Sequence, residues 1–177
     1  MASVSLYDVS IGMTIQTLDT LVDLLKKAQE HPEAATLADT RLIDDMKPFS
    51  FQIIAVTNFA KKYVERLTGR KVEVWEDNET TLEQLLARVN KTLDLLKAVS
   101  REEVDGSDRE TVSLQVGPYN PVDATPSQYV LGFAIPNIMF HLTMAYGLLR
   151  MKGIELGKRD FMNHYMADWF KPTMKEQ

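Results

Sequence analysis

The chain has no cysteine. That excludes disulfides, thiolate metal ligands and a cysteine nucleophile, and it suits a reducing compartment such as the cytoplasm. Histidine is nearly as scarce, with only His31, His141 and His164. Metal sites in helical bundles draw several histidines or carboxylates to one point. The sequence therefore predicts a metal-free protein without a cofactor. The divalent-metal alternative would join His141 to Asp45 and a tail histidine. There is no phosphate-binding glycine loop, dinucleotide fingerprint, HExxH or GxSxG motif. Basic residues are scattered, with pairs only at Lys26–Lys27 and Lys61–Lys62, and the net charge is −5, which argues against nucleic acid as a partner. No apolar run is read as approaching the roughly 20 residues of a membrane span. The opening residues lack the basic-then-apolar pattern of a signal peptide. Neither membrane insertion nor secretion is expected.

What is present is helical periodicity. At 177 residues the chain suits one domain, residues 1–177, with residues 162–177 as a C-terminal tail. Tyr7, Ile11, Thr14, Leu18, Leu21, Leu25 and Ala28 form a stripe that predicts a first helix over residues 5–30. His31-Pro32 ends it, because the residue before proline is pushed out of helical geometry. A second helix is predicted over residues 38–67 with an internal Pro48, its inner face marked by Leu42, Met46, Phe49, Ile53, Val56, Ala60, Tyr63 and Leu67. Gly69 stops it. Residues 71–78 form a connection with brief strand-like alternation. Thr80 or Thr81 opens a third helix to Val99, with Leu82, Leu85, Leu86, Val89, Leu93 and Leu96 on one face. Residues 109–122 change period: TVSLQV alternates, Gly117-Pro118 and Asn120-Pro121 are turn signals, and a short β-hairpin is expected.

The most informative stretch is residues 125–153. Thr125 is a natural N-cap, Pro126 fits the first helical position and Gln128 completes a capping box. Arg150, Lys152 and Gly153 mark the exit. Gly132 and Pro136 predict a kink, since proline clashes with the carbonyl four residues back. Ala134, Ile138, His141, Ala145 and Leu148 share one stripe, and Asn137 lies one turn before His141. A histidine and an asparagine beside small residues can line a pocket between helices. The alternative is a buried histidine satisfied by a neighbour. Phe161, Tyr165 and Trp169 recur at helical spacing in the tail and need a surface, the protein's own or a second subunit's. Four amphipathic segments and one β excursion predict an all-α four-helix bundle.

The stretch FAIPNIMFHLTMAYGLLRMKGIELGKRDF resembles the signature region of domain-of-unknown-function family 1993, within the DinB/YfiT-like superfamily of helical-bundle metalloenzymes. Phe133 to Asn137, Phe140-His141, Ala145-Tyr146, Leu149-Arg150 and Leu156 to Phe161 carry the resemblance. Upstream, Ser5 to Asp8, Arg41-Leu42 with Asp45-Met46, Phe59 to Lys61 and Glu79 to Thr81 also fit. The resemblance implies a DinB-like four-helix bundle, often dimeric, with a site between helices. Better-characterised superfamily members hold a divalent metal with three histidines, and some act with thiol cofactors. Where members of this branch often carry a further histidine, this chain has Gly132.

Three functions are compatible with these residues. One is a metal-independent acid/base enzyme of isomerase or cyclase type acting on a small organic substrate. His141, Asp45 and Tyr146 would be its catalytic groups, with Asn137 and Gln52 binding substrate. The second is a DinB-like metal-dependent transferase or hydrolase. The third is a non-catalytic dimeric module. The expected partners are a small molecule and a second copy of the chain.

Overall fold

The computed structural model describes residues 4–107 and 110–171. Arg109 and residues 172–177, which belong to the expected hairpin segment and tail, lie outside the described residues, as do residues 1–3. Four long helices carry the fold: α1 (Met13–Gln29), α3 (Phe49–Tyr63), α4 (Leu82–Lys97) and α7 (Ile135–Met151). Helix α1 packs on α4, α4 on α3, α3 on α7, and α7 returns to α1. This closed ring is a four-helix bundle. Its core is one apolar cluster that includes Leu18, Leu21, Ile53, Leu85, Leu93, Ile138 and Leu142. Each fully buried leucine or isoleucine contributes about 1.5–3 kcal/mol relative to an exposed one.

The helix ends follow local chemistry. Thr81 caps α4 and exchanges bonds with Gln84, a complete capping box. The short α6 (Pro126–Tyr129) is capped in the same way by Thr125 and Gln128, with Pro126 just inside. At the end of α7, Gly153 has φ +85, Gly153 N–H donates to the Arg150 carbonyl, and Ile154 N–H donates to the Leu149 carbonyl. That pair of bonds is the Schellman arrangement. A π turn, Val130–Ala134, joins α6 to α7, and the Ile135 N–H reaches five residues back to the Val130 carbonyl. The irregularity expected from Gly132 and Pro136 thus takes the form of a widened turn in a continuous helix.

Several local expectations are corrected. No helix runs through residues 38–48. The short α2 (Ala34–Leu37) stops before them, and Pro48, with extended backbone at ψ 172, is the N-cap of α3 rather than an interior residue. Proline pushes Lys47 out of the helical region and has no N–H to donate, so the helix begins after it. The intervening loop closes on itself through Phe49 N–H to the Thr40 carbonyl and Ser50 N–H to the Ala38 carbonyl. Leu42, expected on an inner face, is exposed. Residues 71–78 form no strand. Val74 is 92% exposed there, and the segment is held by side chains instead. The continuous helix from Pro126 to Met151 is, by length and composition, apolar enough to cross a membrane, contrary to the sequence expectation. In the bundle its inner side, including Tyr129, Ala134, Ile138 and Leu142, is core.

The hairpin forms as expected. β1 (Val112–Leu114) pairs antiparallel with β2 (Val122–Ala124), with Ser113 opposite Asp123. The short α5 (Arg101–Asp105) precedes it. Helix α8 (Lys158–Met166) begins before the expected tail, takes in its first residues and lies on α1. The Tyr165 hydroxyl is 2.7 Å from Thr17 Oγ1, Lys27 pairs with Asp160 at 2.6 Å, and His164 Nε2 meets Asp23 at 2.7 Å. The surface covered by Phe161 and Tyr165 is therefore the protein's own, while Trp169 remains 71% exposed.

Candidate functional site

His141 and Gln52, far apart in sequence, meet where α7 packs on α3. Gln52 Oε1 lies 2.8 Å from His141 Nδ1. The amide orientation is fixed by what surrounds its nitrogen. Gln52 Nε2 donates to the Lys47 carbonyl at 3.1 Å and the Pro48 carbonyl at 3.3 Å. Carbonyls only accept, so the amide nitrogen must face them and Oε1 must face the imidazole. An amide oxygen also only accepts, so His141 Nδ1 carries the proton. The neutral ring then has its lone pair on Nε2, which has no hydrogen-bond partner among the described residues. Pro48 is indirectly responsible: by starting α3 late it leaves the Lys47 carbonyl outside the helix, where the glutamine can use it.

The imidazole is half-buried among phenylalanines. Phe140 and Phe51 meet it edge to face at 5.2 and 5.9 Å, and Phe59 stacks at 6.3 Å. Burial lowers its pKa from the ordinary 6.5, since the charged form loses hydration there. The consequence for stability has a definite sign. As pH falls through about 6.5 the unfolded chain takes up the proton first, so the contribution of neutral His141 is complete above that pH. It declines on acidification until the folded state also protonates. Denaturant midpoints between about pH 8 and pH 5 are expected to fall more steeply for the native chain than for His141→Gln. Parallel profiles would contradict a depressed pKa.

His141 shares a cavity of about 320 Å³ with Asn137, Phe51, Phe59, Asn58, Lys62 and Asp77. Asn137 Nδ2 donates to the Phe133 carbonyl at 2.6 Å, which leaves its Oδ1 available. One wall is built from behind by Arg88. Its guanidinium is buried and bonds Thr57 Oγ1, the Glu76 carbonyl, Glu79, Asn58 Oδ1 and Asp77, all between 2.7 and 2.9 Å. Asn58 in turn donates to the other Asp77 oxygen at 2.9 Å. The Asp77 charge is thereby compensated, whereas Lys62 has no ion-pair partner among the described residues. Larger hollows lie beside Trp75, about 560 Å³, and on the outer side of α8, about 450 Å³, neither with a histidine, and between α1 and α8, about 460 Å³, where His164 is held by Asp23.

Of the residues singled out from sequence, the structure brings together His141, Gln52 and Asn137. Asp45 stands exposed on the loop before α3 and does not line this cavity. The Tyr146 hydroxyl donates to the Leu156 carbonyl at 3.3 Å, and its ring packs on Phe161, turned toward α8. Sequence reasoning passed over Lys62, Asp77 and Arg88. Arg88 was visible in principle: it falls three residues after Leu85 and four before Thr92, on the inner stripe of α4.

The residues do not fit a three-histidine metal site. His31 lies beyond the end of α1 and His164 is bound to Asp23, so neither reaches His141. Among the described residues no three or more histidines, aspartates or glutamates converge on one point.

A family profile described as "Domain of unknown function (DUF1993)" matches residues 6–162. No curated protein matches the chain. Among solved structures, the chain is similar to a DinB family member protein from Shewanella denitrificans, with 28% identity and a TM-score of 0.79 over 97% of this chain and 94% of that one.

Proposed function

The chain belongs to the DUF1993 family and has a DinB-like fold, and on that premise we propose that it is a metal-independent acid/base enzyme of the isomerase type, acting on a small, largely apolar carbonyl compound in the His141 cavity. The observation that carries this reading is the Gln52–His141 bond. It holds a neutral imidazole with Nε2 unprotonated in a half-buried aromatic setting. A depressed pKa keeps that base free at neutral pH. Phe51 and Phe59 line the cavity for a flat substrate, and Lys62 and Asn137 are polar groups lining the same cavity.

The chemistry balances without an external reagent. Nε2 removes a proton from the carbon next to the carbonyl, and the C–H electron pair moves onto the carbonyl oxygen as an enolate. The Lys62 ammonium offsets that negative charge. The imidazolium then returns the proton to the other face or to a neighbouring carbon, restoring the neutral base. Nδ1 keeps its proton throughout, with Gln52 as its acceptor.

The test uses simple aryl ketones, beginning with acetophenone. In D₂O the native protein is expected to bind them, with shifted backbone resonances at Phe59 and His141, and to speed exchange of the α-protons for deuterium above the buffer rate. Binding without exchange would leave a binding protein and overturn the catalytic reading. Absence of binding across aromatic and aliphatic ketones would overturn the substrate class.

A further inference from the structure

Two buried tyrosines meet where α3 and α6 stop. Tyr63 is the last residue of α3 and Tyr129 the last of α6. Both are 0% exposed, and their rings meet edge to face at 5.6 Å. Arg66 lies over the Tyr129 ring, with Cζ 4.9 Å from the centroid. The Tyr63 hydroxyl, the Tyr129 hydroxyl and Arg66 Nη1 are shielded from solvent and have no hydrogen-bond partner among the described residues. The guanidinium comes near the Tyr129 hydroxyl without closing a hydrogen bond. Arg66 forms no ion pair among the described residues either. Burial pushes both phenols up, so they keep their protons and stay donors. Immediately after each tyrosine the helix widens into a π turn, Val64–Thr68 and Val130–Ala134. Such turns are rare and concentrate at functional sites.

We propose that Tyr63, Tyr129 and Arg66 form a binding site for a small monovalent anion, a halide being the simplest. A buried donor left without an acceptor bears its full desolvation cost, and a guanidinium without a counter-charge bears more. All three groups can donate, and the guanidinium cannot accept. A water molecule accepts two such bonds, which leaves a third donor and the positive charge unanswered. A halide or nitrate accepts all three and neutralises Arg66. The two π turns bury Val64, Leu67, Val130 and Ala134, so the tyrosines sit beside apolar side chains. Stripping water from a divalent anion costs far more than from a monovalent one, which disfavours sulfate and phosphate there. Ring contacts lead from this cluster toward the His141 cavity: Tyr129 to Phe133 at 6.4 Å, Phe133 to Phe59 at 5.8 Å and Phe59 to His141 at 6.3 Å. The anion site is nonetheless separate from that cavity, whose lining includes neither tyrosine nor Arg66, and it does not depend on the proposed chemistry.

The test uses bromide as the probe. The native chain is unfolded by heat in sodium gluconate, and bromide then replaces gluconate at constant ionic strength. A ligand that binds only the folded state raises the midpoint, here by about 2–4 °C once bromide exceeds its dissociation constant about fivefold. The double variant Tyr63→Phe/Tyr129→Phe keeps both rings and removes both hydroxyls, and Arg66→Gln removes the charge. Each is expected to lose the bromide-dependent rise. Crystals of the native chain soaked in sodium bromide, with diffraction recorded at the bromine edge, locate the ion whether or not the variants fold. The expected anomalous peak lies within hydrogen-bond reach of both tyrosine hydroxyls and the Arg66 guanidinium. A native midpoint indifferent to bromide overturns the proposal. So does an equal rise in the native chain and the double variant, which would be a bulk salt effect. A map with an ordered water bridging the three groups, and bromide only elsewhere, overturns it as well.

Discussion

Replacing Arg88 with methionine is expected to lower the free energy of unfolding by about 3–5 kcal/mol, the usual result of removing one partner from a buried charged network. The guanidinium bonds two carboxylates, one carbonyl, a hydroxyl and a side-chain amide. Most of the loss should come from what is left behind. The Glu79 side chain is only 14% exposed and would keep its charge without a cation, and the Glu76 carbonyl and Thr57 would lose a donor. The Asp77 bond contributes less, because that carboxylate is half-exposed and water can replace the arginine. The substitution also frees residues 71–80, which form no ladder of their own. Trp75 lies between Lys61 at 4.1 Å and Lys91 at 4.4 Å, and this stacking would loosen with the loop. Urea unfolding followed by circular dichroism and by tryptophan fluorescence measures both effects. A loss below about 1 kcal/mol would mean that the network is not desolvated in solution.

His141→Ala is expected to reduce ketone α-proton exchange by about 10²- to 10⁴-fold, the usual contribution of a positioned general base. Ketone binding should persist, since Phe51 and Phe59 remain. Gln52→Leu separates the roles further. It keeps the imidazole but removes the acceptor that holds the Nδ1 proton, so exchange should fall without reaching the His141→Ala level, and binding should be unchanged. Equal exchange in native protein and His141→Ala would remove the base assignment.

The bundle was legible because long amphipathic stripes and caps are local signals. Leu82 to Leu96 and the Thr125–Gln128 capping box could be read directly from spacing. What spacing could not resolve was the effect of a single proline. Pro48 lies within an apolar pattern that suits a helix on both sides, and steric restriction outweighs the pattern there. The candidate site was legible only in part. His141 and Asn137 are a turn apart on one helix, so periodicity joins them. Gln52 meets His141 through packing, which sequence does not reveal. Asp77 and Lys62 come to the cavity through a loop held by Arg88 and through the last turn of α3. An arginine on the inner stripe of α4 was the signal for that wall, and the leucines around it masked it.

The account rests on one proton. With Nδ1 bonded to the Gln52 oxygen, His141 must be the Nδ1–H tautomer with a bare Nε2. Long-range ¹H–¹⁵N correlation of the imidazole side chains, recorded at about pH 8 where unperturbed histidine is neutral, observes this directly. The expected spectrum shows a pyrrole-type Nδ1 and a pyridine-type Nε2 for His141, and Gln52→Leu averages the two. A pyrrole-type Nε2, or a ring still doubly protonated at that pH, would contradict the site as described.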